Sequence, residues 1–123
     1  MQPQRPVDGL PDLDPAQLRS LLDLGADPAL VQELIALHAA DGPERIRALE
    51  AAVSAGDAAR GATEAHQLKG SVGNLGLVRL AELARQLEQA GREGSLEGAT
   101  DLAARLPAAL VASLEALRAA FPA

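Results

Sequence analysis

The chain has 123 residues, 27 of them alanine and 22 leucine, and a formal charge of −6, which leaves room for one domain with an aliphatic core. Phe121 is the lone aromatic, cysteine is absent, and 11 Lys and Arg stand against 17 Asp and Glu. That balance argues against base stacking, thiolate chemistry, disulfides and the clustered cations that hold nucleic acid or anionic lipid.

Valine, isoleucine and threonine total only 10, so strand formers are scarce and an all-α protein is expected. Residues 1–13 carry Pro3, Pro6 and Pro11 with little periodicity and read as a flexible N-terminal lead; the domain is expected over 14–121. Asp14-Pro15-Ala16-Gln17 offers a cap acceptor, a proline at the first helical position and Gln at N3. A short first helix is therefore expected from Pro15 to Leu24, stopping at Gly25. Asp27-Pro28 repeats the start signal, and Leu30, Leu34, Leu37, Ile46, Leu49 and Val53 follow at helical spacing to Gly56. Pro43 inside this pattern either kinks one long helix or separates two.

Asp57 caps a third helix with the apolar line Ala58, Ala62, Ala65, Leu68, Val72 and Leu75, ended by Gly76. The fourth, from about Leu77 to Ala90, buries Leu80, Leu83, Ala84 and Leu87 before Gly91 and Gly94. Ser95 then caps a last helix carrying Leu102, Leu106, Leu110, Leu114, Leu117 and Phe121, with Pro107 as an internal kink. Four amphipathic helices on short Gly-containing turns close most simply as an antiparallel up-down four-helix bundle with a short extra N-terminal helix.

The third helix breaks its own pattern. His66 and Lys69 stand beside Gly70 and Gly73, and each glycine inside a helix costs roughly 0.5–1 kcal/mol relative to alanine. At ~100° per residue His66, Gly70 and Gly73 share a flank turned away from the apolar line. An imidazole above bare backbone lets a bulky group or a partner's active site approach the ring closely. Neutral imidazole is a nucleophile near neutral pH, and Lys69, one turn on, brings a cation that would stabilise a transferred phosphoryl group. Two histidines 28 residues apart, with no Glu-x-x-His or His-x-x-x-His pair, do not make a metal site; Gly70 to Gly76 lacks the Gly-Lys-Ser/Thr of a phosphate loop.

His66-x-Leu68-Lys69-Gly70-Ser71, then Asn74-Leu75-Gly76-Leu77, Leu80-x-x-Leu83 and Leu87-Glu88, resemble the signature of histidine-containing phosphotransfer (HPt) domains of two-component phosphorelays. The resemblance spans roughly Asp14 to Phe121. It implies that His66 is the phosphoacceptor, that Lys69 steadies the phosphoryl group, that Gly70 supplies clearance, and that Glu88 orients the imidazole through its second nitrogen. It further implies a phosphoryl carrier without autokinase activity rather than a turnover enzyme. The partners would be receiver domains of a hybrid sensor kinase and of a response regulator, with no cofactor in this chain and Mg2+ on the receiver. His38 departs from the pattern, standing where many relatives carry phenylalanine. A helical adaptor, or a receiver-docking module that does not accept phosphate, is the alternative. The N-terminus lacks the apolar core of a signal peptide and no window reaches ~20 uninterrupted apolar residues, so the expected location is cytoplasmic, with neither membrane insertion nor nucleic acid.

Overall fold

The computed structural model describes residues 7–123. Among them six α-helices follow a single 3-10 turn, Val7–Gly9: α1 Ala16–Asp23, α2 Pro28–Ser54, α3 Ala58–Gly73, α4 Val78–Arg92, α5 Ala99–Ala104 and α6 Leu106–Ala120. The fold is the expected all-helical one, a bundle of α2, α3, α4 and α6 with α1 as the additional N-terminal helix. Helix α3 packs most extensively on α4, while α2 contacts α3, α5 and α6. No helix among the described residues is long and apolar enough to cross a membrane.

The caps read from sequence hold where an aspartate precedes the helix. Asp27 accepts from the Ala29 amide at 2.9 Å and Asp57 from the Arg60 amide at 3.1 Å, satisfying first-turn donors that have no partner inside the helix. Core leucines 18, 49, 68, 77, 80, 83, 87, 106 and 117 are all essentially inaccessible, the dense aliphatic packing that a chain with one aromatic requires.

Four expectations need correction. Residues 7–13 are not a free lead. The Arg79 guanidinium donates to Val7 O, Leu10 O and Asp12 Oδ1, the Arg79 amide donates to Pro11 O at 3.1 Å, and Val7 is buried. Pro11 has no amide hydrogen to donate, and its carbonyl is taken up by this clamp. Residues 1–6 of the expected lead lie outside the described residues.

In the first half of α2 the buried line is Val31, Ile35 and His38, whereas Leu30 and Leu37 are exposed and Leu34 is only partly covered. The helix is rotated by about one residue from the leucine line, and its branched side chains face inward. Pro43 lies inside an unbroken α2: buried His38, Gly42, Ile46 and Leu49 place tertiary contacts on both sides of the proline, which hold the helix through it.

Pro107, by contrast, separates α5 from α6, with Arg105 ending one helix and capping the next. In the first turn of α6 the missing amide costs nothing, so a new start resolves the clash. Ser95 does not cap a helix; it accepts from the Glu97 amide at 3.3 Å, and α5 begins after Gly98, whose φ is +79°.

Two glycines set the geometry of the α3–α4 hairpin. Gly76 turns the chain at φ +77°, and a Cβ there would lie 2.2 Å from Asp14 O, while its own carbonyl accepts from the Asp14 amide at 2.8 Å. At Gly91 a Cβ would meet Ala58 O at 2.6 Å and Ala62 N at 2.7 Å. Bare backbone at Gly91 therefore lets α4 lie directly against the start of α3, which brings Glu88, one turn earlier on α4, beside His66.

Candidate functional site

His66, Lys69 and Gly70 from α3 and Glu88 from α4 meet at one place on the surface of the hairpin. The His66 side chain is 62% exposed, Glu88 only 5%. Glu88 Oε2 accepts from His66 Nδ1 at 2.7 Å, and Glu88 Oε1 accepts from the Lys69 ammonium. A carboxylate on Nδ1 fixes the proton there and leaves the Nε2 lone pair as the free nucleophile.

Gly70 is exposed, and neither it nor Gly73 has any atom within 4 Å of where a Cβ would sit. Their smallness serves nothing inside this chain, unlike that of Gly91. The flank beside the imidazole is open backbone, as the helical spacing predicts.

Burial pushes the Glu88 carboxyl up. Hydrogen bonds from Lys69 and His66, together with the charges of Lys69 and Arg92, outweigh that effect and leave it below the ordinary 4.5. Glu88 is therefore an anion across the neutral range. Arg92, which the sequence reading passed over, donates to the same Oε2 at 2.7 Å. Its signal is the (i, i+4) Glu–Arg spacing on α4, a pairing too common on helix surfaces to mark a site by itself. Ser71 lines a hollow of about 260 Å³ with Leu34, Leu37, His38, Asp41 and Asn74 and takes no part in the Glu88 cluster.

His38, the second imidazole, is buried and distant from this arrangement. Its Nε2 lies 3.1 Å from Ser113 Oγ, which itself donates to Leu110 O at 2.7 Å, so His38 is the donor to Ser113. Burial lowers its pKa from the ordinary 6.5. Val72 and Leu77 are fully buried and offer no docking surface. The exposed large apolar residues are Leu21, Leu24, Leu30, Leu37 and Val111: Leu21 on α1, Leu24 just after it, and Leu30 and Leu37 in the first half of α2.

A family model described as the Hpt domain matches residues 33–120. The crystal structure of histidine-containing phosphotransfer protein B (HptB) from Pseudomonas aeruginosa PAO1 is similar at a TM-score of 0.75 and 32% identity, over 91% of this chain and 96% of that one. No curated protein sequence matches the chain. The matched span holds the exposed imidazole, its buried carboxylate and the bare helical flank, and the whole helical arrangement is shared with a solved phosphotransfer protein: the chain belongs to the Hpt domain family.

Proposed function

We propose that this chain is the phosphocarrier of a phosphorelay, taking a phosphoryl group from an aspartate of one receiver domain onto His66 and passing it to an aspartate of another. The observation that carries the reading is the 2.7 Å bond from His66 Nδ1 to buried Glu88 beneath an otherwise open ring. Family membership supports the phosphotransfer role itself; the receivers of a hybrid sensor kinase and a response regulator are the partners this reading assigns.

In the step proposed, the Nε2 lone pair attacks the phosphorus of a receiver's phosphoaspartate in line. The new N–P bond forms as the P–O bond to the aspartyl group breaks, and the carboxylate leaves with the electron pair. The ring then bears a positive charge, its Nδ1 proton still held by Glu88, whose carboxylate balances that charge. Lys69 offers its ammonium to the phosphoryl oxygens, and Gly70 leaves the receiver's active-site rim room to approach. On this reading the receiver would supply the phosphoaspartate and its metal ion, so this chain needs no acid–base pair of its own. The return step is the same reaction run backwards onto a second receiver.

Leu21, Leu24 and Leu37, with Leu24 86% exposed, offer the apolar part of the receiver-docking face. The test is transfer from a 32P-labelled phospho-receiver to the wild type and to His66→Gln. Label on the wild type alone, lost in acid and kept in alkali, supports His66 as carrier. Receiver binding without label would turn the assignment to a docking module, and neither binding nor label would leave an adaptor.

A further inference from the structure

Glu88 is shared by three donors, and its two oxygens are not used alike. Oε1 takes Lys69, whereas Oε2 takes both the His66 ring and Arg92, each at 2.7 Å. Lys69 and Arg92 therefore approach the carboxylate from different elements. Arg92 lines a hollow of about 280 Å³ with Ala62, Thr63, His66 and Gln67, with no other charged side chain. The charged groups bonded to the ring or to its carboxylate are Lys69 on α3 and Glu88 and Arg92 on α4, and Arg85 and Glu93, also on α4, line a second hollow with Glu88 and Arg92.

A buried carboxylate bonded to an imidazole favours the imidazolium, in which the Nε2 lone pair is occupied by a proton. Cations on the same carboxylate oppose that bias. Lys69 holds it only until its ammonium is drawn to the phosphoryl oxygens, whereas Arg92, one helical turn from Glu88 on the same helix, keeps its bond without any movement of the backbone.

On the phosphocarrier reading, we propose that Arg92 is a positioning residue for His66, acting through Glu88 as its standing counter-ion. It anchors the carboxylate under Nδ1 and offsets the negative charge that would otherwise hold the ring as imidazolium, which frees Lys69 for the phosphoryl group.

The experiment compares wild type, Arg92→Gln and Arg92→Lys across pH 6 to 9, with His66→Gln as the blank. Labelling by phosphoramidate, a donor that needs no protein partner, is read beside the NMR resonances of the His66 ring. In Arg92→Gln the ring resonances titrate at higher pH than in the wild type by about half a unit, and the acid-side fall of the labelling rate moves with them. Labelling on the acid side of the titration drops by up to about threefold, the alkaline plateau stays within about twofold, and Arg92→Lys restores most of the loss. Unmoved resonances overturn the proposal, and so does an equal loss of rate at every pH, which is the mark of a purely structural residue. A wild type labelled by neither phosphoramidate nor phospho-receiver defeats the phosphocarrier reading instead; the ring resonances of the unphosphorylated protein still decide for or against Arg92.

Discussion

His66 and Glu88 stand on facing helices, joined by a 2.7 Å bond whose histidine end is 62% exposed and whose carboxylate end is 5% exposed. The reactive group is thus at the surface while the group that orients it is fixed in the packing. Glu88→Ala removes the acceptor on Nδ1 and leaves Lys69 and Arg92 facing each other. The expected outcome is a drop in phosphoramidate labelling on the order of tenfold. Glu88→Gln, whose amide oxygen still accepts from Nδ1, retains more activity than Glu88→Ala. Equal rates for both variants and the wild type would show that orientation contributes nothing.

Gly70 and Gly91 lie in similar helical backbone and predict opposite results. No atom lies near a Cβ at Gly70, so Gly70→Ala stabilises the fold by about 0.5–1 kcal/mol. Gly70→Leu remains folded but loses transfer from a phospho-receiver by tenfold or more, while phosphoramidate labelling changes little. At Gly91 the obstacles are backbone atoms of Ala58 and Ala62 that cannot swing aside, and Gly91→Ala destabilises by about 3 kcal/mol. Chemical denaturation ranks the variants. A destabilised Gly70→Ala would contradict the assignment of its smallness to a partner.

Acid sensitivity traces to His38 as well as to Glu88. Burial depresses the folded-state pKa of His38 below 6.5, so between that value and 6.5 the unfolded chain binds more protons than the folded one. Stability is therefore complete above about pH 6.5 and falls as the pH drops through this window. Glu88, also lowered from its ordinary value, adds a further loss below pH 4.5. His38→Phe is expected to flatten the fall in melting temperature between about pH 7 and 5 without changing labelling of His66. An unchanged slope would mean that His38 charges without cost, with Asp41, which lines the same hollow, as an acidic group that favours the imidazolium.

The exposed leucines separate docking from chemistry. Replacing Leu24 and Leu37 with serine removes apolar surface that contributes little to the core, since both are more than half exposed. The double variant should keep its melting temperature and its phosphoramidate labelling, yet transfer from a phospho-receiver should fall tenfold or more through weaker binding. Full transfer by the variant would place the docking face elsewhere.

Much of this was readable before any coordinates, and the failures share a cause. Asp27 and Asp57 act through local chemistry, so the helix starts they cap follow from the chain alone, while Gly76 marks the turn and α3 itself ends three residues earlier, at Gly73. Gly70 stands out because a helical glycine in an alanine-rich chain is a cost without a local return. Tertiary contact decides the rest. In α2 the lines Leu30–Leu34–Leu37 and Val31–Ile35–His38 have nearly the same spacing one residue apart, and only the neighbours of α2 select the second. Pro43 and Pro107 are alike in sequence terms, yet contacts carry the helix through one and not the other. Arg92 was silent because its meaning lies in which oxygen of Glu88 it shares.

The glycine turn at Gly76 places every group of the site within one hairpin, between His66 and Arg92. Loop closure between them is short, so the reactive cluster depends on contacts of low sequence separation and belongs to the part of the chain that pays least entropy to assemble. The remaining helices then act as its support. A change of length in the α2–α3 turn at Gly56, or in the segment from Glu93 to Gly98, alters how that support is attached while leaving the cluster's internal register untouched, which makes those two places the natural points for grafting this hairpin onto other chains.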